Sequence, residues 1–277
     1  MQIAHTIPEM KTLRSKYTGP VGFVPTMGYL HDGHIELVRR AKKDNPFAVV
    51  SIFVNPTQFA PNEDFKAYPR DIDRDLKMLE TVKTDIVFIP TPEEMYPEGY
   101  NSWVDVEGIT ATLEGRSRPT HFRGVTTVCN KLFNIVEADS AYFGQKDAHQ
   151  ALVIQKMVAD LNMNLKIMVI PTVREKDGLA MSSRNTYLTP EERPSAPVLY
   201  KSLQLASGMY EKGERDARKI IAAMTQLIST VPAAKIDYIC ISDINTLQDV
   251  DMIKGKVVVS MAVKLGKPRL IDNIILG

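Results

Sequence analysis

Two histidines three positions apart, His31 and His34, are the residues of this sequence whose types and spacing point most directly to chemistry. They lie in the segment PTMGYLHDGH, residues 25–34, which joins an apolar run to an amphipathic one. An imidazole N–H can donate a hydrogen bond to a phosphate oxygen, and a protonated ring adds positive charge as the phosphorus becomes crowded. Main-chain N–H groups at the start of a helix also favour phosphate. The segment therefore indicates a site for a phosphate-bearing ligand.

Two other interpretations of the histidine pair stay open at this point. A His-x-x-His pair can ligate a metal, but only His5, His121 and His149 remain as further histidines, and the sequence has no His-Glu-x-x-His pattern. The two rings could instead cap the helix without taking part in a reaction. A phosphate loop of the Gly-x-x-x-x-Gly-Lys-Ser/Thr kind is absent from the sequence.

Short apolar runs alternate with longer amphipathic ones through the first part of the chain. The predicted strands are residues 21–25, 47–54, 85–90, 140–144 and 166–171. The predicted helices between them are residues 34–44, 71–83, 125–137 and 147–161. Continuous apolar strands separated by helices predict a parallel sheet covered on both faces, a doubly wound α/β fold of the Rossmann-like kind. In such folds ligands bind at the carboxyl ends of the strands, which is where residues 25–34 are expected.

The pattern changes after about residue 172. The predicted elements there are helices over residues 190–212 and 214–230, then strands over 235–241, 256–264 and 269–276. The last two strands flank a short Gly/Lys/Pro turn, which predicts an antiparallel pair. The sequence thus predicts a Rossmann-like domain of residues 1–172 and a smaller α+β domain of residues 173–277. Pro194 and Pro197 leave the start of the first helix uncertain.

Composition narrows the class of protein. The chain has 277 residues, 44% of them hydrophobic and 24% charged, which is ordinary for a globular protein of two domains. Its net charge of +1 argues against charge-driven binding to nucleic acid or to a membrane surface. No apolar run reaches the ~18 residues of a membrane span, and the N-terminus does not look like a secretory signal, so we expect a cytoplasmic protein. Cys129 and Cys240 fit reduced thiols.

Several blocks of the sequence resemble a known family. HDGH, residues 31–34, resembles the His-x-Gly-His signature of the nucleotidyltransferase superfamily. The blocks FVPTMG, VNPTQF, YPR, RPTHFRGV, YFGQKD, GLAMSSRN and RLIDN are similar to those of the pantoate–β-alanine ligase (pantothenate synthetase) family. They occur in family order from about residue 21 to the C-terminus.

The resemblance implies a reaction in two steps. Pantoate carboxylate attacks ATP to give pantoyl-adenylate and pyrophosphate, and β-alanine then displaces AMP to form pantothenate. Mg²⁺ accompanies the ATP, and the family is typically a cytoplasmic homodimer. Little covalent work falls to the protein, so positioning and charge stabilisation should dominate catalysis.

The resemblance also implies the site residues. Those expected to act on the reacting phosphates are His31, His34, Lys146, Ser182, Ser183 and Arg184, with His34 the better candidate for proton donation to the leaving group. The expected ATP contacts are Met27, Gly28, Tyr29, Leu30, His31, Asp32, Gly33, His34, Gly144, Gln145, Lys146, Asp147, Val173, Met181, Ser182, Ser183 and Arg184. The expected substrate contacts are Gln58, Gln150, Asn55 and Arg118, and Asp75 is the expected contact of Mg²⁺. The resemblance implies that residues 1–172 bind ATP and pantoate and that residues 173–277 cover the active site, which we expect in the cleft between the two domains.

The sequence departs from the family at two positions near the expected site. His149 stands where the family commonly has glutamine, and Tyr29 is larger than the alanine often found there.

Three competing functions can be compared with the sequence. A nucleotidyltransferase that acts on a phosphate ester would call for Arg or Lys in place of Gln58 and Gln150. A tRNA synthetase would show a basic stripe or an appendage for tRNA. The segment MSSR, residues 181–184, resembles the second signature of the same superfamily, and a catalytically silent nucleotide-binding regulator would not need both signatures intact.

Overall fold

The computed structural model describes residues 1–60 and 65–277. These residues fall into two compact units. The first comprises Met1–Gly144 and Gln150–Pro171, and the second comprises Gln145–His149 and Thr172–Gly277. Among the described residues, no helix combines the length and the apolar character that crossing a bilayer requires.

The first unit is built on a parallel sheet. Its strands are β1 (Gln2–Ala4), β2 (Val21–Thr26), β3 (Phe47–Ile52), β4 (Ile86–Phe88), β5 (Ser140–Gly144) and β6 (Lys166–Ile170). The six strands found in the described residues are ordered β1-β4-β3-β2-β5-β6, with every neighbouring pair parallel. From β2 the order runs outward through β3 and β4 to β1 at one edge, and from β5 it runs to β6 at the other. The topological switch point therefore lies between the carboxyl ends of β2 and β5, where ligands of doubly wound sheets bind.

Helices cover both faces of this sheet. The helices from the N-terminus are α1 (Ile7–Arg14), α2 (Asp32–Asp44), α3 (Ile72–Thr81), α4 (Pro92–Met95), α5 (Leu113–Ser117), α6 (His121–Val136) and α7 (Ala148–Asp160). Val24 of β2 belongs to a buried cluster with Val38 of α2 and Leu79 of α3. Phe23, the preceding residue, packs edge-on against Phe133 of α6 with ring centroids 6.3 Å apart. Because successive strand side chains point to opposite faces, α2 and α6 lie on opposite sides, and the predicted doubly wound α/β fold is confirmed.

The second unit contains a small antiparallel sheet packed on two helices. Its helices are α8 (Val198–Glu211) and α9 (Ala217–Ile228), and its strands are β7 (Ala234–Asp243), β8 (Val257–Leu265) and β9 (Arg269–Leu276). The strands pair antiparallel in the order β7-β8-β9, which confirms the predicted α+β class and the pairing of the last two strands. Leu203, Ile220 and Met224 of the helices share one core with Val259 and Met261 of β8.

The two prolines before α8 account for its late start. The sequence pattern predicts a helix from about residue 190, but Arg193–Ser195 forms a separate 3₁₀ turn, and α8 begins after Pro197 at its N-cap. A proline ring carries no N–H and restricts the residue before it, so a continuous helix through both prolines is unfavourable.

Candidate active site

The chain between β2 and α2 turns sharply at Gly28. Gly28 has φ +80°, and Tyr29 follows with φ 51°. A Cβ at position 28 would lie 2.9 Å from Cγ2 of Ile52 and 3.1 Å from Oδ2 of Asp75, so only glycine fits there without a shift. The Thr26 hydroxyl, which donates to the carbonyl of Ser51 at 2.7 Å, accepts the Gly28 N–H at 3.2 Å. The main chain of residues 26–30 is therefore held closely against β3.

Asp75 of α3 anchors this turn. Its two carboxylate oxygens accept the main-chain N–H groups of Tyr29 and Leu30, each at 2.7 Å, and Arg74 Nη1 lies 3.6 Å from Oδ1. The side chain is fully buried, and this desolvation raises the pKa of Asp75, while the two N–H donors act in the opposite direction. The carboxylate thus fixes the orientation of the peptide groups that precede α2.

The expected magnesium contact of Asp75 has to be weighed against these bonds. Both carboxylate oxygens of Asp75 already accept hydrogen bonds from main-chain N–H groups. In residues 1–60 and 65–277, no group of three or more His, Cys, Asp or Glu side chains could hold a metal ion. The described residues thus do not form a protein cage for Mg²⁺, and an ion that arrives with ATP would be held mainly by phosphate oxygens. The contact with Asp75 stays a prediction.

His31 and His34 cap the start of α2 reciprocally. His31 is the N-cap residue, and its Nδ1 accepts the N–H of Gly33 at 3.2 Å. His34 Nδ1 accepts the N–H of His31 at 3.3 Å, and the two ring centroids are 4.0 Å apart. A neutral imidazole whose Nδ1 accepts carries its proton on Nε2, so both rings offer an Nε2–H donor. The two rings therefore share one place at the positive end of α2.

A cavity opens beside this turn within the first unit. Its volume is about 180 Å³, which is smaller than the ~300–1,000 Å³ of typical small-molecule sites. Its walls include Met27, Gly28 and Tyr29 from the turn, together with Asp75 and Arg70. The carboxyl end of β3 forms another wall, so the cavity lies at the edge of the sheet where ligands are expected.

Gln58 lies in a tight turn after β3, and Asn55 organises that turn. Asn55, which is 1% exposed, caps the 3₁₀ turn Pro56–Gln58 and accepts the Thr57 N–H at 3.3 Å. Its Nδ2 donates to Gln58 Oε1 and to the carbonyl of Gly124, both at 3.1 Å. Gln58 Nε2 in turn lies 3.1 Å from the sulfur of Met27. The structure therefore brings Gln58 next to the segment that carries the histidines.

Helix α6 and Arg118, which precedes it, contact the same turn. Arg118 Nη2 and His121 Nδ1 reach the Gln58 carbonyl at 3.3 and 3.0 Å. A Cβ on Gly124 would lie 2.4 Å from the Thr57 carbonyl oxygen, so the close approach of α6 to the turn requires glycine. Arg118 thus contacts the main chain of the turn that carries Gln58.

Tyr96 completes the surroundings of this turn. Its hydroxyl donates to Asn55 Oδ1 at 2.9 Å and lies 3.3 Å from Thr57 Oγ1. Burial raises the pKa of Tyr96 to about 12, so the phenol stays protonated and acts as a donor. Sequence reasoning missed Tyr96, Thr57 and Gly124 as parts of the site. Thr57 and Gly124 stand in the blocks VNPTQF and RPTHFRGV, so the resemblance to the family was a signal for both, whereas Tyr96 stands in none of the blocks.

In the second unit, two candidate phosphate-binding segments pack against β9. The 3₁₀ turn Gln145–Asp147 contacts β9, and so does the 3₁₀ turn Ser183–Tyr187. Lys146 Nζ lies 3.5 Å from Asp147 Oδ1. Ser182 caps the second turn, since its hydroxyl accepts the Arg184 N–H at 3.2 Å. One strand thus supports both the Lys146 and the Ser182–Arg184 candidates.

A short hairpin leads into the second of these segments. Arg174 bridges to Ala180 across it, and the Met181 N–H donates to the Val173 carbonyl at 3.0 Å. Arg193 forms ion pairs of 2.6 Å with Glu175, on the first arm, and with Asp177, in the turn. Val173 therefore supports Met181 through its main chain.

The positions of the remaining candidates follow from their elements. Gln150 is half-buried in the first turn of α7 and belongs to the first unit, whereas Gln145, Lys146 and Asp147 belong to the second. Asp32 and Gly33 form the first turn of α2, and Gly144 ends β5 at the switch point of the sheet.

Comparisons with known proteins agree along the whole chain. A family model described as Pantoate-beta-alanine ligase matches residues 2–275. The pantothenate synthetase of Acetivibrio thermocellus is 57% identical over 278 residues, covering 99% of both chains. That of Thermotoga neapolitana is 55% identical over 280 residues, covering 100% of both.

Solved structures give the same result. A crystal structure of pantothenate synthetase from Thermus thermophilus superposes with a TM-score of 0.95 at 44% identity, covering 99% of both chains. A structure of pantoate-beta-alanine ligase from Francisella tularensis, complexed with beta-gamma ATP and beta-alanine, gives a TM-score of 0.81 at 35% identity. That match covers 99% of this chain and 97% of the other.

Proposed function

Because this chain belongs to the pantoate–β-alanine ligase family, we propose that it joins pantoate to β-alanine in two steps driven by ATP. A pantoate carboxylate oxygen attacks the α-phosphorus of ATP, which forms pantoyl-adenylate and releases pyrophosphate. The β-alanine nitrogen then attacks the acyl carbon, loses a proton, and AMP leaves. The observation that carries this function is the family match over residues 2–275.

The first step needs donors where negative charge develops on the phosphates. His31 and His34 supply two Nε2–H groups at the positive end of α2, because Nδ1 of each ring is occupied by a main-chain N–H. These donors are fixed before the substrate arrives, so little reorganisation is needed during the reaction. The capping bonds and the catalytic role are therefore compatible functions of different ring nitrogens.

The residues that we assign to ATP binding are the candidates that the resemblance to the family supplies. The contacts from the first unit are Met27, Gly28, Tyr29, Leu30, His31, Asp32, Gly33, His34 and Gly144. The contacts from the second unit are Gln145, Lys146, Asp147, Val173, Met181, Ser182, Ser183 and Arg184. Lys146 acts as a point charge, Arg184 as a planar fork of donors, and the two serines as neutral donors to phosphate oxygens.

Pantoate is bound by amide side chains. Gln58 and Gln150 can each donate to the carboxylate and accept from a hydroxyl, which a lysine or arginine cannot do. Asn55 acts on the substrate through Gln58, because its own amide is already bonded to Gln58 Oε1 and the Gly124 carbonyl. Arg118 supports the same turn and adds positive charge near the acid.

We also propose three properties of the working enzyme that the family resemblance implies. Mg²⁺ enters with ATP as part of the substrate, and Asp75 is the candidate protein contact. The enzyme is a homodimer, which light scattering would show as twice the mass of the chain. It works in the cytoplasm, and its two thiols, Cys129 and Cys240, suit a reducing compartment.

A product assay tests the proposed function. Protein, ATP and Mg²⁺ are mixed with pantoate and β-alanine, each substrate being omitted in turn, and AMP and pantothenate are measured. Stoichiometric AMP and pantothenate are expected only when both substrates are present. AMP formation at the same rate with and without pantoate would refute the function. A Gln58→Glu variant, which keeps the size of the side chain but adds a negative charge, should raise the KM for pantoate about 10²-fold through repulsion between carboxylates.

A further inference from the structure

Asn273 of β9 holds the turn that carries Lys146. The side chain is 3% exposed, and its Nδ2 donates to two successive carbonyls, those of Gln145 at 2.9 Å and Lys146 at 2.8 Å. One amide group therefore fixes the direction of two consecutive peptide planes. Because the Cα of Lys146 joins those two planes, the start of the Lys146 side chain is fixed relative to β9.

The orientation of the Asn273 amide is set by this chemistry. If the amide were turned over, its oxygen would face two carbonyl oxygens, which cannot donate a hydrogen bond. In the observed orientation Oδ1 is buried and accepts no hydrogen bond from the described residues. A buried acceptor without a donor is unfavourable, so this side chain is not optimised for stability. What the arrangement achieves is the placement of the turn.

Asn273 is itself held by the residue before it. Asp272, which is 2% exposed, forms a bidentate ion pair with Arg174 at 2.6 and 3.0 Å. The same carboxylate accepts the Asn273 N–H at 2.8 Å. Arg174 also lies over the ring of Tyr200, 4.0 Å from its centroid. The main chain of β9 at Asn273 is therefore held in place by the ion pair between Asp272 and Arg174.

We propose that Asn273 is a positioning residue for the phosphate contact of Lys146. The inference rests on the proposed function, in which Lys146 binds the phosphates of ATP. In this role Asn273 acts through the turn to which it donates, and so keeps the Lys146 ammonium where the phosphates are bound. A misplacement of about 1 Å can cost on the order of 10²-fold in rate, so this role is measurable.

A double-mutant cycle tests the role. Pantoate-dependent ATP–pyrophosphate exchange is measured for Asn273→Ala, Lys146→Ala and the double variant. We expect Asn273→Ala to slow exchange by about 10²-fold and Lys146→Ala by at least as much. The double variant should be within about threefold of Lys146→Ala, because a residue that acts through Lys146 has no effect without it. Asn273→Asp, which sets carboxylate oxygens against the two carbonyls, should slow exchange at least as much as Asn273→Ala.

A neighbouring residue provides the matched control. Ile274→Val, on the same strand and packed against the core of the second unit, tests whether weakening β9 is enough. It should lower Tm without slowing exchange. If Asn273→Ala slows exchange equally with and without Lys146, or if Ile274→Val slows it as much, the positioning role is wrong. If Lys146→Ala exchanges at the normal rate, the assigned role of Lys146 falls as well, while product formation by the unaltered protein still tests the overall function separately.

Discussion

His34 Nδ1 accepts the main-chain N–H of His31 at 3.3 Å, and the two imidazole rings lie with their centroids 4.0 Å apart. The sequence left helix capping and phosphate chemistry as alternative roles for this pair. The geometry shows that capping uses Nδ1 of each ring, so a neutral ring keeps its proton on Nε2. Capping thus sets the tautomer that a phosphate donor needs.

His34→Gln separates the two roles. Glutamine at the third helical position can accept the N-cap N–H as in a capping box, but it has no imidazole. We expect both His34→Gln and His34→Ala to slow pantoyl-adenylate formation by ~10²–10³-fold, as for the loss of one transition-state donor. Tm should fall in His34→Ala and stay near normal in His34→Gln. Near-normal ATP–pyrophosphate exchange in His34→Gln would show that capping alone matters.

Gly28→Ala should loosen the turn before α2. Its φ of +80° costs an alanine about 1–2 kcal/mol, and the new Cβ would press on Ile52 and Asp75. We expect a lower free energy of unfolding in urea and a raised KM for ATP. Gly208→Ala is the matched control, since a Cβ in that interior turn of α8 meets nothing within 4 Å. Gly208→Ala should stabilise the protein by roughly 0.5–1 kcal/mol, and equal effects of the two variants would contradict the argument.

The central strands could be predicted from sequence because both of their faces are buried. Residues 21–25 and 140–144 read as apolar runs for that reason, and β2 and β5 lie there. β1 escaped prediction because it has three residues, two of them exposed, at the edge of the sheet. The sequence pattern predicted the start of α6 near residue 125, but the helix begins at His121 and includes Gly124. A glycine is required inside the first turns of α6 because the helix there contacts the main chain of Thr57 closely.

The candidate site likewise has a part that the sequence predicts and a part that it does not. The family blocks named His31, Lys146 and Gln58, but the contacts that hold them join residues far apart in sequence. Asp75 and Tyr29 are 46 positions apart, and Asn273 and Lys146 are 127 apart. No periodicity or local motif encodes such pairs, since they depend on how strands and helices are arranged in space. A single sequence therefore predicts candidate reacting residues more readily than the residues that would position them.

The two cysteines should differ in reactivity. Burial raises the pKa of Cys129 to about 12, so roughly 10⁻⁴ of that thiol is ionised at pH 8. Cys240 is only partly buried. We expect iodoacetamide at pH 8 to modify Cys240 first in the folded protein and Cys129 only after denaturation, as read by peptide mass spectrometry. Fast alkylation of Cys129 under native conditions would show that α6 opens readily.

Gly124→Ala should disturb pantoate binding without touching any proposed ligand contact. The new Cβ would lie 2.4 Å from the Thr57 carbonyl oxygen and 2.7 Å from the Cα of Gln58, so the turn after β3 must move away from α6. Since Asn55 donates to both the Gly124 carbonyl and Gln58, the amide of Gln58 should shift with it. We expect the KM for pantoate to rise by ~10–10²-fold, and the KM for ATP to change much less. Steady-state kinetics with each substrate varied in turn measure this, with Gly208→Ala again as the control. A normal KM for pantoate in a folded Gly124→Ala protein would mean that the turn does not set the position of Gln58.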